Sequence, residues 1–442
     1  MATRSATVAP GAIARGSSLT TTCTTPDTRR RTISPRESAD NRASRLDSAV
    51  PGLISVGLLV HSRIDINGRP TVAEVSLSAL RHNCRRARDL AGPDISVMAV
   101  VKADAYGHGA VPAARAFLDA GAQALGVSSV AEAIELRRAN LAGPLLVLGG
   151  AFPGEEETVV AHDLAVAVWD AEQARALAGA ARAAGHHVAV HFKVDTGMAR
   201  LGLDLADVAS FATLVRSLGT LRVAGVFSHF ASADAVETAA ARAQTARFVQ
   251  AVEMLVGAGV RPPEVHLANS AATLAAPEAR FTMVRPGIML YGYAPAPHLA
   301  ARAAVRPAMR LRTRIAQVRR VPAGTPVGYA GTFVTARPST IATLPVGYAD
   351  GLHRLASNRA RVAVRGQRVP VAGRVCMDHV MLDVTDLPGV STGDAAVLFG
   401  GMIGADELAA SCDTISYEIL TSVARRVPRV YVEEFGEEFP GA

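Results

Sequence analysis

ISVMAVVKADAYGHG, residues 95–109, runs an apolar stretch into Lys102 and then breaks into a polar, glycine-punctuated loop. A short apolar run bounded in this way reads as a buried parallel strand whose C-terminal end carries reactive side chains. Seven more segments repeat the outline: ALGVSS (124–129), LLVLGG (145–150), LAVAVW (164–169), VAVHFKVD (188–195), RVAGVFSHF (222–230), EVHLANS (264–270) and MVRPGIML (283–290). Stretches with helical apolar spacing lie between most of them, such as SVAEAIELRRAN and TARFVQAVEMLVGAG. Eight such units within residues 69–305 predict an α/β fold, a (β/α)8 TIM-type barrel. An open doubly wound sheet would carry a glycine-rich phosphate loop after its first strand, and no GxGxxG or Walker string is present.

After residue 305 the texture changes. RLRTRIAQVRRV, STIATLPVG and RVAVRGQRVPVAGRVCMDHVMLDV are β-branched and bounded by Gly and Pro, so residues 306–442 are expected to form a C-terminal β-rich domain. Residues 1–62 are rich in Ser, Thr and Arg and are expected to be a disordered extension. The apolar run at 49–60 is too short to span a membrane.

Lysine usage narrows the search for chemistry. The chain has 46 Lys plus Arg, and only Lys102 and Lys193 are lysine. Arg does not give up its proton at accessible pH and cannot form a Schiff base, whereas Lys does both. Both lysines end predicted strands, where a barrel places its active site. Other strand ends carry Tyr106, His108, Asp195, Arg200, Ser228, His229, Asn269, Ser270 and Arg285. The net charge of +7 is partly local, since eight Arg and four acids in residues 1–50 contribute +4 of it. Aromatics are 5% of the chain and no basic stripe is interleaved with them, which argues against a nucleic-acid partner. The four cysteines show no metal-ligand spacing, so no metal is expected. A cytoplasmic protein with no membrane association is the resulting expectation.

Read together, VKADAYGHG, KVDTGMARLG, GVFSHFASAD, HLANSAATL, VRPGIMLYG, PVGYADGLHR, GRVCMDHV and YEILTSVARRVPRVY resemble the alanine racemases, fold-type III enzymes that use pyridoxal 5'-phosphate (PLP). The resemblance runs in order from about Arg69 to Tyr431. It implies a homodimer with shared active sites that interconverts L- and D-alanine by a two-base mechanism, supplying D-alanine for peptidoglycan. It further implies that Lys102 carries the cofactor and serves as one base, and that Tyr329 of a partner subunit is the other. A phenol ordinarily titrates near 10, so that role calls for nearby cations or donors. By the same resemblance Arg285 faces the pyridine nitrogen, and His229 packs beside the ring and bonds Arg285. Tyr106, Ser270, Tyr417 and the amides of Gly287 and Ile288 hold the phosphate, with Asn269 steadying the loop.

Arg200 and Met377 meet the substrate carboxylate, Tyr348 lines the entryway, and Lys193 is a candidate carbamate. An ordinary ion pair of Lys193 with Asp195 or a neighbour is the alternative. Two positions depart from the family pattern: Ala199 stands where Gly or Asn is common, and Ala330 precedes Gly331 where Gly usually comes first. A racemase of broader range, acting for example on serine, is the alternative function. A barrel that merely carries PLP is a further one, and the second domain argues against it.

Overall fold

The computed structural model describes residues 69–439, so the expected N-terminal extension lies outside the described residues. After a first strand, β1 (Val72–Ser76), the chain alternates strands and helices. These strands are β2 (Ser96–Val100), β3 (Ala124–Val127), β4 (Leu145–Val147), β5 (Ala165–Val168), β6 (Val188–Lys193), β7 (Leu221–Phe227), β8 (Glu264–His266) and β9 (Met283–Val284). Each pairs in parallel with its neighbour, in the order β8-β7-β6-β5-β4-β3-β2-β9. The two ends meet through Thr282 N–H donating to Val265 O at 3.0 Å and Arg285 N–H donating to Ala268 O at 2.9 Å. The result is the eight-stranded barrel expected from the sequence.

Local chemistry sets the element ends. Asp170 Oδ1 accepts from the Glu172 and Gln173 amides and starts the helix Ala171–Ala184, a side-chain N-cap. All eight barrel strands are shorter than the segments the sequence suggested, β8 and β9 most of all. β8 stops at His266 because Asn269 Oδ1 accepts from the Ala272 amide and caps the helix Ser270–Ala275. β9 stops at Val284, just before Pro286, which has no N–H to continue a ladder.

The second region is β-rich, as expected, and it recruits both ends of the described chain. Its six-stranded sheet contains Met309–Arg314, Arg361–Val364, Gln367–Pro370, Ala395–Phe399, Arg429–Val432 and β1. β1 pairs antiparallel with Met309–Arg314 and parallel with Arg429–Val432. The expected barrel range of 69–305 did not anticipate that membership, because the pairing partners lie more than two hundred residues away in sequence. Three further strands, Gln317–Val321, Ser339–Leu344 and Val380–Asp383, form a separate sheet. A two-stranded ladder, Pro326–Val327 with Phe333–Val334, frames the loop that carries Tyr329.

Candidate active site

β2 delivers Lys102 to the rim, and the chain then does something unusual. Ala103, Asp104, Ala105 and Tyr106 take φ values of 54°, 53°, 51° and 52°, a left-handed turn made without glycine. L-residues visit this region singly and at a cost, so four in a row must be held by their surroundings. Glu132 Oε1 accepts from the Ala103 amide at 2.8 Å, and Asp104 Oδ1 accepts from the Ala110 amide at 2.7 Å. Tyr106 stacks on Tyr291, with ring centroids 4.6 Å apart. Tyr291 in turn donates from its hydroxyl to Val100 O at 2.8 Å, tying the stack back to β2. Glu132 drew no attention in the sequence, because it stands three residues after Ser129 and looks like half of a helix capping box.

A cavity of about 990 Å³ opens at the strand ends. Lys102, Tyr106, Lys193, Arg200, His229, Asn269, Ser270, Arg285, Gly287, Ile288 and Tyr417 all line it, so eleven of the fourteen anticipated site residues converge. The cavity is strongly cationic. Burial depresses the Lys102 ammonium from its ordinary range, and the Arg200 charge depresses it further. Lys193 is pushed down to about 8, by burial first and then by Arg200, Arg285 and Lys102. His229 falls to about 3 by burial, with those same four cations adding to it, so it is a neutral ring. Lys193 has no ion pair among the described residues; its ammonium lies 5.4 Å from the Phe227 ring centroid. Asp195, the partner the sequence offered it, instead accepts from the Gly197 and Met198 amides at 2.8 Å each.

Arg285 is buried. Its terminal nitrogens donate to His266 O (2.7 Å), His266 Nδ1 (3.1 Å), Ser228 O (2.6 Å) and Leu267 O (3.2 Å). The imidazole bonded to Arg285 is therefore His266 and not His229, a correction to the expected pairing. The backbone explains it, since β8 ends one strand over from β9 and aims His266 into the barrel core beneath the arginine. The Nε–H makes none of these bonds.

Gly287 closes one side of the cavity. A Cβ there would lie 2.4 Å from Tyr106 Oη, so glycine is needed for space. The Gly287 amide donates to Ser270 Oγ at 2.8 Å, which leaves the Ile288 amide as the open one of the expected pair. Asn269 acts through the helix cap described above. Tyr106 and Tyr417 stand together, with ring centroids 6.0 Å apart. Burial raises the Tyr106 phenol to about 12 and raises Tyr417 as well, so both remain neutral hydrogen-bond donors.

Tyr329, Tyr348 and Met377 do not reach this cavity within the chain. They are exposed in the second region, at 70%, 43% and 53% of their surface respectively. The Tyr348 amide bonds Cys376 O at 3.0 Å and the Ala349 amide bonds Met377 O at 3.0 Å, which zips two of their loops together. Both unusual alanines have left-handed φ values, 54° at Ala199 and 61° at Ala330, the conformation that glycine or asparagine would tolerate.

Comparison with known proteins now decides the family. The profile described as "Alanine racemase, N-terminal domain" matches residues 75–295, and "Alanine racemase, C-terminal domain" matches 308–431. The chain belongs to the alanine racemase family. Its relatives include the alanine racemases of Desulfovibrio desulfuricans, 44% identical over 83% of this chain and 99% of that one, and of Symbiobacterium thermophilum, 46% identical with the same coverages. Among solved structures it resembles the alanine racemase of D-cycloserine-producing Streptomyces lavendulae (TM-score 0.80, 39% identity, 83% of this chain and 98% of that). The alanine racemase of Streptomyces coelicolor is similar to it at TM-score 0.79 and 40% identity, with the same coverages.

Alanine racemases are PLP-dependent isomerases, and this cavity fits that cofactor. It offers a half-buried lysine with a depressed pKa and a glycine-floored cradle rimmed by neutral phenols. It also holds a buried guanidinium with no carboxylate bonded to it.

Proposed function

We propose that this racemase interconverts L- and D-alanine with PLP held in the Lys102 cavity, and that the D-alanine serves peptidoglycan synthesis in the cytoplasm. The observation that carries the reading is the convergence of Lys102 and buried Arg285 on one cationic cavity at the strand ends. When bound, PLP supplies the electron sink that makes the Cα proton of alanine removable. The residues supply everything else.

Lys102 Nζ, with its proton affinity lowered by burial and Arg200, takes and returns a proton on one face. Arg285 presents its free Nε–H to the ring nitrogen. Because a guanidinium holds its proton, it donates a hydrogen bond without transferring the proton. That weakens the sink and favours prompt reprotonation of Cα. Tyr106, Tyr417, Ser270 and the Ile288 amide bind the phosphate, and His229 flanks the ring. Arg200 binds the substrate carboxylate. The depressed Lys193 amine suits carbamylation, which would turn it into an anion beside Arg200.

Tyr329 supplies the second base from a partner subunit, with Met377 at the carboxylate and Tyr348 at the entryway. Their shared exposure supports a dimer, as do Leu201 (38% exposed) and Ile415 (60% exposed) in the lining of the cavity. No helix of the described residues is long and apolar enough to cross a membrane. The relatives' names favour alanine over serine as substrate. The deciding experiment incubates L-alanine with PLP-loaded protein in heavy water and follows circular dichroism. Decay to zero with deuterium at Cα is expected. Retained handedness in a protein that holds borohydride-reducible PLP on Lys102 would overturn the substrate assignment.

A further inference from the structure

The hydrogen bonds that leave Arg285 do not end at His266. His266 Nε2 lies 2.9 Å from His191 Nδ1, and His191 Nε2 lies 3.5 Å from Glu264 Oε2. The direction of the chain is fixed at one end. A guanidinium only donates, so His266 Nδ1 accepts and the proton of that neutral ring sits on Nε2. His266 Nε2–H then donates to His191 Nδ1, which puts the His191 proton on Nε2, facing an acceptor-only carboxylate. Up to His191 every donor finds an acceptor with both imidazoles neutral, and the last contact, from His191 Nε2 to the carboxylate, is an electrostatic one at 3.5 Å. Burial agrees, holding His191 down at about 3 and His266 well below its ordinary value.

The barrel is built around this row. The β6–β7 register shifts between Val190 and His191, a bulge of the kind that re-aims a side chain. Opposite it stands Gly225, where a Cβ would come within 2.2 Å of His191 Nδ1. Phe227 lies flat against His266, its ring plane 10° from the imidazole, and also sits beneath the Arg285 guanidinium. Glu264 is the first residue of β8 and lines a second cavity, at the opposite end of the strands, together with His191 and Arg222. Thus the buried Arg285 has only neutral groups bonded to it directly, and a carboxylate stands at the far end of the row.

We propose that His191 and Glu264 are positioning residues for Arg285: a one-way row, hydrogen-bonded from Arg285 through His266 to His191 and ended by the Glu264 carboxylate, brings that charge to bear on the guanidinium and keeps it a weak donor. This rests on the reading of Arg285 as the partner of the cofactor's ring nitrogen. An anion favours the charged form of a nearby base. Without it the guanidinium becomes more acidic by about tenfold, on the order of one pKa unit for charges roughly 10 Å apart at an effective dielectric of about 20. A more acidic donor strengthens the electron sink and raises side transamination. In that reaction alanine passes its amino group and two electrons to PLP and leaves as pyruvate, with pyridoxamine phosphate formed one for one.

Two measurements test the chain. In apoprotein with 15N-labelled histidine, NMR should show two neutral Nε2–H imidazoles and a coupling across the His266–His191 hydrogen bond, lost in His191→Phe. In PLP-loaded protein, pyruvate formed per racemisation event should rise up to about tenfold in Glu264→Gln, which lies away from the active-site cavity. His191→Phe should raise it too, and the double variant should exceed His191→Phe by less than the full Glu264→Gln factor, because part of the carboxylate's effect passes through the imidazole. Missing coupling overturns the chain. An unchanged pyruvate ratio, or effects that simply multiply, overturns its role. The three side chains also offer ligand atoms within 4.8 Å of one another, so a stoichiometric bound metal would overturn it as well. Protein that takes up no PLP fails the functional reading at loading, and the role of the chain with it, while the apoprotein coupling still reports on the geometry.

Discussion

The left-handed turn after Lys102 stores strain that can be measured. Four L-residues there at about 1–2 kcal/mol each amount to roughly 4–8 kcal/mol. Glu132 is the strap: one oxygen accepts from Ala103 N–H at 2.8 Å and the other from Ser128 N–H at 2.7 Å. Hydrogen bonds to a charged group contribute about 1.5–3 kcal/mol net, and their exposure puts both near the low end, so the strap is worth about 3 kcal/mol. Glu132→Ala should therefore lose about 3 kcal/mol in guanidinium unfolding, while Glu132→Gln, which keeps one carbonyl acceptor, should lose roughly half. Activity should fall further than stability implies, since a displacement of about 1 Å at a reacting group can lower the rate about 100-fold. Adding Ala103→Gly should then recover some stability, because glycine removes the strain at an exposed position and its greater unfolded-state freedom offsets only part of the gain. A Glu132→Ala protein within about 0.5 kcal/mol of wild type, with unaltered kcat, refutes the strap.

Other consequences are open to direct measurement. Tyr329→Phe should block proton removal from one enantiomer far more than from the other, read as unequal deuterium wash-in; equal loss from both sinks the two-base assignment. Carbamylation needs the neutral amine of Lys193, whose pKa is about 8, so the carbamate should form increasingly as pH rises through that value and discharge in acid. Carbon-13 NMR in labelled bicarbonate tests this, and a wild-type spectrum identical to that of Lys193→Ala rejects it. Ala330→Gly relieves a φ of 61° at an exposed position and should raise the denaturation midpoint by the equivalent of about 0.5–1 kcal/mol; a lower midpoint would show the alanine to be favoured there. Sedimentation of diluted enzyme beside its activity tests the shared site, since a monomer with full specific activity would exclude it.

Much of this was legible in one dimension. Eight apolar runs gave eight barrel strands because a strand buried on both faces leaves a continuous hydrophobic signature. Lys102, Arg200 and Arg285 were visible because each follows such a run in a string shared with the alanine racemases. Glu132 and His266 were not visible as site residues. Glu132 mimics a local helix cap, and His266 sits inside a predicted strand where a buried imidazole is unremarkable. The strand β1 hid its partners for a related reason: VAEVS specifies an extended segment, and nothing local says that it lies between residues 309–314 and 429–432.

By itself, then, the sequence determined the barrel, the β-rich second region and the strand-end residues that gather at one cavity, because apolar periodicity and scarce lysines are local facts. Only the tertiary structure decided that Arg285 leans on His266, that Ala103–Tyr106 turn left-handed, and that Tyr329 stands exposed outside the lining of its own chain's cavity. Those outcomes depend on which distant groups share a few ångströms, and the balance of strain, hydrogen bonding and burial there is struck only once the barrel closes.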